Sequence, residues 1–338
     1  MQVFRPFPLL GNAHVQTVLG NLLPGPTRAL PAAPITFPLP DGDRLVAQES
    51  IPPCWRCGDP VALLVHGLGG CHRSGYMRRV ALRLVQQGAR AYRLDLRGCG
   101  AGIRLARRFY NAGCSGDVRA ALECLQVRHP ASPLLLAGFS LGGNIVLKLA
   151  GESAERPLRS LRAVAAVGPP LDLVRCSALI ERQPFYDSYY ARKLLRDVTA
   201  HATHFPDLPP LSFPRRLTVR QFDDLYTAPR WGYGDALDYY RRASSLPWVE
   251  RSPVPTFLLT ARDDPFIAIE PFETLAPAPH IEVHISPYGG HLGFLGPDGR
   301  GGIRWAEQRV VDWLLVNARK SAIGTPAEQA PAALAMDY

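Results

Sequence analysis

Residues 134–146 constrain this chain more than any other stretch. Four apolar residues, Leu134 to Ala137, lead into Gly138-Phe139-Ser140-Leu141-Gly142, and a mostly apolar run from Asn144 to Ala150 follows. The pattern reads as a buried strand, a tight turn and a helix, with the serine at the apex of the turn. Glycines on either side let the strand and helix backbones approach closely around a strained residue. In that setting a Gly-x-Ser-x-Gly is a nucleophile elbow. Standing alone, the serine could equally cap a helix N-terminus, so other stretches must decide.

Two of them do. Residues 60–65 form a buried strand that ends in His66-Gly67-Leu68-Gly69-Gly70. A glycine-rich loop in this position supplies the second half of an oxyanion hole, most directly through the Leu68 N–H, with the Leu141 N–H as the first half. His66, at the strand end, is expected to shape that loop. Residues 257–260 form a late strand that ends in Asp263 and Asp264 before Pro265, and Gly289-Gly290-His291 follows the last strand. Serine, acid and histidine come in the order expected of an α/β-hydrolase.

The chemistry requires these types. A serine hydroxyl is a weak nucleophile, so His291 should take its proton and later deliver it to the leaving group. An acid should fix the imidazole tautomer and stabilise its cation. Adjacent residues leaving a strand point in different directions, so one of Asp263 and Asp264 faces the histidine. Pro265 biases the residue before it away from helix, which favours Asp264 and leaves Asp263 to bind loop amides; Asp263 is the alternative. This chemistry needs no metal and no organic cofactor.

Charge and cysteines narrow the partners. The formal net charge is +9, carried mainly by scattered arginines rather than a basic run. No nucleic-acid module is evident. The charge offers peripheral contact with anionic membrane or attraction to anionic substrates, and a compositional bias of the coding sequence is its plain alternative. Cys54-Trp55-Arg56-Cys57 lies in a Pro-rich loop with no second pair to complete a zinc site. No secretory leader and no stretch of 18 apolar residues is found, so the expected location is cytoplasmic.

Strands alternate with helices from Val61 onward, which predicts a mostly parallel central sheet with helices on both faces. A hairpin of residues 35–39 and 44–48 about Asp41-Gly42 precedes it. Ser115 is read as the cap of a helix over 116–128, and a last helix is expected over 303–317. The alternation breaks between residues 171 and 250, a helical, aromatic-rich segment read as a cap over the active-site edge that builds an apolar pocket. The expected organisation is an N-terminal arm (1–33), a core (34–170 and 251–318), a helical cap (171–250) and an Ala/Pro-rich, disordered tail (319–338).

The sequence resembles the YheT-type group of α/β-hydrolases, which includes plant embryogenesis-associated hydrolases and mammalian abhydrolase-domain lipases. Gly11-Asn12-Ala13-His14-Val15-Gln16-Thr17 is similar to the group's N-terminal Asn-Pro-His-x-Gln-Thr, with Ala13 in place of proline. The elbow through Asn144, the segment Phe222-Asp223-Asp224-Leu225-Tyr226-Thr227-Ala228-Pro229, and the acid and histidine loops carry the rest. The resemblance implies an α/β-hydrolase fold and an esterase or lipase-like enzyme with a Ser140, Asp264, His291 triad, acting on a small ester or lipid through an acyl-enzyme. Thioester hydrolysis or acyl transfer on the same site is the nearest alternative, and a non-catalytic binding protein on the same scaffold is the other.

Overall fold

A computed structural model of the protein describes residues 3–23 and 30–323. Helix α1 (Ala13–Leu22) comes first, then the hairpin of β1 (Ala33–Pro38) and β2 (Arg44–Ser50). The alternating part runs β3 (Val61–Val65), α2 (Gly75–Gln86), β4 (Arg90–Asp95), α3 (Ser115–Arg128), β5 (Leu134–Phe139), α4 (Leu141–Glu152) and β6 (Leu161–Val167). Six α-helical pieces follow: α5 (Leu173–Glu181), α6 (Pro184–Ala202), α7 (Val219–Phe222), α8 (Ala228–Trp231), α9 (Ala236–Ala243) and α10 (Leu246–Val249). A π-helical turn, Asp223–Thr227, joins α7 to α8. The chain then returns through β7 (Thr256–Ala261), α11 (Glu270–Glu273), β8 (Ile281–Ser286) and α12 (Trp305–Ile323).

The eight strands form one sheet in the order β1-β2-β4-β3-β5-β6-β7-β8. The hairpin strands pair antiparallel, and β2 meets β4 antiparallel; every pair from β4 to β8 is parallel. Side chains alternate across a strand, and both faces of this sheet are covered. Val61, Leu63 and Val65 enter the core under α3 and α4, whereas Ala62 and Leu64 enter the core under α2 and α12. That is why β3 and β5 read as unbroken apolar runs. Helix α2 meets its core through Met77, Val80, Ala81 and Leu84, spaced as one helical stripe.

Two helix limits differ from the sequence reading. Ser115 is itself the first residue of α3, and Cys114 holds the cap position without a side-chain hydrogen bond. Helix α12 starts at Trp305 and runs to Ile323, because no glycine or proline interrupts the run before Gly324. The rest of the expected tail, residues 324–338, lies outside the described residues. Among the described residues, no helix is long and apolar enough to cross a membrane.

Helix α4 packs closely over the end of β3 at Gly142. A Cβ there would lie 2.4 Å from the His66 carbonyl oxygen and 2.5 Å from that of Val65, both backbone atoms that cannot swing away. Gly142→Ala should therefore destabilise the protein by about 3 kcal/mol or more. Gly116→Ala, in a helix with nothing near its added methyl, should be neutral or stabilising by up to about 1 kcal/mol. Urea unfolding of the two variants checks the contrast.

Candidate active site

The strand β5 delivers Ser140 to the carboxyl edge of the sheet. Its backbone sits at φ 52° and ψ −123°, a conformation that L-residues rarely hold. The turn is closed from both sides: Ser140 N–H donates to Val167 O at 2.8 Å, and Gly143 N–H donates to Ser140 O at 2.8 Å. A Cβ at Gly138 would lie 2.3 Å from Gly142 O, so β5 and α4 can approach this closely only with glycine at 138. Leu141 is the first residue of α4, so its N–H has no helical acceptor.

The loop after β3 lies against this turn. His66 Nε2 accepts from Leu96 N–H at 3.1 Å, so its Nδ1 carries the proton and donates to Gly67 O at 2.8 Å. Full burial pushes the imidazole pKa down and keeps it neutral. Gly67 N–H donates to Tyr76 Oη at 3.0 Å and Gly69 N–H to Tyr110 Oη at 2.7 Å. Both neighbours of Leu68 are thus tied down, while the Leu68 and Leu141 N–H groups take no hydrogen-bond partner among the described residues. Beyond the loop, the Asp95 carboxylate accepts from His72 N–H at 2.6 Å and Ala101 N–H at 2.8 Å, and faces His72 Nδ1 at 2.6 Å. Cys71, His72 and Asp95 could place three donor atoms around a metal, but the carboxylate is already engaged as the anchor of this loop.

His291 stands opposite. Its Nε2 lies 2.9 Å from Ser140 Oγ, and its Nδ1 lies 2.8 Å from Asp264 Oδ2. The other Asp264 oxygen accepts from Phe266 N–H at 3.1 Å and Ile267 N–H at 3.2 Å, which fixes the carboxylate plane. Pro265 supplies no N–H between them. Asp263 points elsewhere and accepts from Gly290 N–H at 2.9 Å; burial raises its pKa. The Phe266 ring covers the imidazole at 4.2 Å between centroids.

This arrangement has counterparts. Residues 60–297 match the family model described as alpha/beta hydrolase fold. The chain is 32% identical to YheT of Escherichia coli (strain K12) over 322 residues, covering 92% of each. The chain belongs to the α/β-hydrolase family, in its YheT-type group. The monoacylglycerol lipase of Saccharomyces cerevisiae is 29% identical over 76% of this chain, which spans 59% of that longer protein. Mouse phospholipase ABHD3 is 28% identical over 70% of this chain and 58% of its own length. Among solved structures, the Pyrococcus furiosus esterase Pf2001 superposes with a TM-score of 0.56 at 15% identity, over 84% of this chain and 92% of that one; that likeness is one of fold.

In this hydrolase the helices between β6 and β7 divide the space above Ser140 in two. A cavity of about 110 Å³ lies beneath them, walled by side chains that include Ile180, Leu194, Phe222 and Phe266. A groove of about 570 Å³ opens on the other side, bordered by Tyr186, Tyr189, Lys193 and α1. Ser140 and Leu68 border both, whereas His291 borders the groove. The π-helical turn places the Asp223 carboxyl in the cavity wall, where it accepts from Thr227 Oγ1 and Tyr240 Oη, each at 2.6 Å. Burial without a cation pushes its pKa up to about 6.

The polar residues of α1 hold both that helix and the loop that carries His291. Gln16 is fully buried: its amide donates to Leu10 O and Leu295 O and accepts from Leu295 N–H at 2.7 Å. Thr17 Oγ1 accepts the His291 backbone N–H at 2.9 Å and donates to Ala13 O at 2.7 Å. Asn12 caps α1 by accepting from His14 and Val15 N–H groups. Arg304 donates to Gly20 O at 2.7 Å and to Leu23 O, closing its other end. Polar residues at fixed spacing inside an apolar segment were the available signal.

Two predictions follow from these contacts. Thr17→Val keeps the shape but removes the acceptor for His291 N–H, so kcat on a short ester should fall by about ten- to a hundredfold while circular dichroism is unchanged. For Asp223, the folded pKa lies above the usual carboxyl value. Its stabilising contribution is therefore full below about pH 4 and is lost as pH rises through about 6. Asp223→Asn should gain stability relative to the wild type between those pH values, read by urea unfolding at each.

Proposed function

We propose that this protein is a serine carboxylic-ester hydrolase that works through an acyl-enzyme. The observation that carries the reading is the unbroken relay from Ser140 Oγ through His291 to Asp264, at 2.9 and 2.8 Å, set between two unpartnered N–H groups. His291 Nε2 takes the Ser140 proton as Oγ attacks the ester carbonyl carbon. The resulting oxyanion is held by the Leu68 and Leu141 N–H groups, with the N-terminal end of α4 adding its positive dipole. Collapse expels the alcohol, which takes the proton from His291 and leaves an acyl-serine. Water then attacks by the same route, with His291 as base, and the acid departs. Asp264 holds Nδ1–H throughout, so Nε2 stays free to accept.

The esterase and lipase names of the relatives agree with this chemistry, and an acyl cavity beside the serine suits it. A fluorophosphonate probe should label Ser140, and Ser140→Ala should abolish the label; labelling of another serine would overturn the assignment. Asp264→Asn should keep the fold and lower kcat by about 10⁴-fold, because the imidazole would take the wrong tautomer. Asp263→Asn should cost far less, and the reverse ranking on folded variants would transfer the acid's role.

A further inference from the structure

The two spaces above Ser140 are unequal, and the proton path decides which part of an ester enters each. The leaving oxygen must lie within hydrogen-bond reach of His291 Nε2, because it receives that proton. His291 borders the groove and not the cavity. The alcohol portion therefore occupies the groove, and the acyl substituent, on the other side of the tetrahedral carbon, enters the cavity. This inference rests on the ester-hydrolase reading and adds the substrate class.

Volume sets the acyl group. The cavity holds about 110 Å³, whereas a cavity of about 150 Å³ takes a six-carbon benzene ring. Its walls are mostly apolar, and the buried Asp223, held by Thr227 and Tyr240, forms one polar part of them. Charge sets the alcohol. The groove is five times larger and is bordered by Arg73, Arg79 and Lys193, with no carboxylate among its lining residues. Arg79 is engaged by Glu307 at 2.6 Å. Arg73 is exposed and forms no ion pair among the described residues. The Lys193 stem crosses the oxyanion loop: a Cβ on Gly69 would lie 2.4 Å from its Cε. Its ammonium pairs with Asp197 at 3.4 Å, which engages one of its three donors.

We propose that the substrate is an ester of a short acyl group, about four or five carbons, with a larger alcohol bearing an anionic group that Lys193 and Arg73 recognise. Hydrolysis adds water across the acyl–oxygen bond and releases the short acid and the anionic alcohol.

Two series on the purified enzyme test it. With 4-nitrophenyl esters of rising acyl length, kcat/KM should peak at butyrate or valerate and be roughly tenfold lower at decanoate. Leu194→Ala, which enlarges the cavity, should move the peak to longer chains. A wild-type peak at decanoate or laurate would overturn the acyl assignment. The second series compares butyrate esters of 4-hydroxybenzenesulfonate and 4-hydroxybenzenesulfonamide, alcohols of equal size and different charge. At low salt the anionic ester should be favoured by roughly tenfold in kcat/KM. Lys193→Met with Arg73→Gln should bring that ratio close to its value at high salt. A ratio untouched by the two substitutions would overturn the anionic assignment. Failure to hydrolyse any ester, together with no fluorophosphonate label on Ser140, would overturn the ester-hydrolase reading and this one with it.

Discussion

The close crossing of α4 over the end of β3 is the constraint on which the site depends. Val65 O and His66 O approach so near to Gly142 that no side chain fits between them. The crossing goes with the positive-φ turn at Ser140 and sets the loop after β3 against it, where a Cβ on Gly67 would lie 2.9 Å from that of Ser140. An oxyanion hole needs two donors fixed before charge develops. In the proposed oxyanion hole both donors, the Leu68 and Leu141 N–H groups, are backbone groups, so their placement would come from the fold rather than from side-chain rotamers. Tyr76, Tyr110 and His66 then hold the glycine loop, which would otherwise be the most pliable part of the site.

The histidine lacks such a scaffold. It follows β8, the edge strand of the sheet, in a loop where Gly290, Leu292 and Phe294 all have positive φ. Two of these are non-glycine residues and store strain, so something must hold the loop. Helix α1 does so from outside the sheet. A Cβ at Gly290 would lie 2.3 Å from Ala13 O, and one at Gly293 would lie 2.4 Å from Gln16 O. Gln16 pairs with both backbone groups of Leu295 as a neighbouring strand would. The segment that the sequence reading set aside as an arm is thus a wall of the site.

Much of this was legible in the sequence. The strands β3 and β5 announce themselves because both faces are buried and every position is apolar, and β6 does so apart from Arg162. The elbow does so because its glycines are sterically required. Asp264, the one of the two acids that faces His291 Nδ1 here, precedes a proline that restricts its backbone. What stayed hidden was tertiary. Nothing local to Thr17 says that its hydroxyl meets a backbone N–H 274 positions away. The phenol groups of Tyr76 and Tyr110 read as ordinary helix and loop aromatics. The end of α12 was misjudged because composition suggested a tail where propensity still favoured helix. The split of the aromatic segment into two differently sized spaces also could not be read, since Phe222 and Tyr189 look alike in a string and face opposite sides of Ser140.

The inserted helices are tied to the nucleophile's own helix. Asn144, fully buried in α4, donates to Ala112 O at 3.1 Å and Ala243 O at 2.9 Å and accepts from Ser245 N–H at 2.8 Å. One side chain thus satisfies three backbone groups, two of them where the insertion returns to the core. Buried polar groups left without partners cost about 1–3 kcal/mol each, so lifting the insertion at this root would orphan several at once. The groove between α1 and α6 reaches Ser140 without breaking these bonds. The same asparagine thereby joins the helix that follows Ser140 to the segment that covers it.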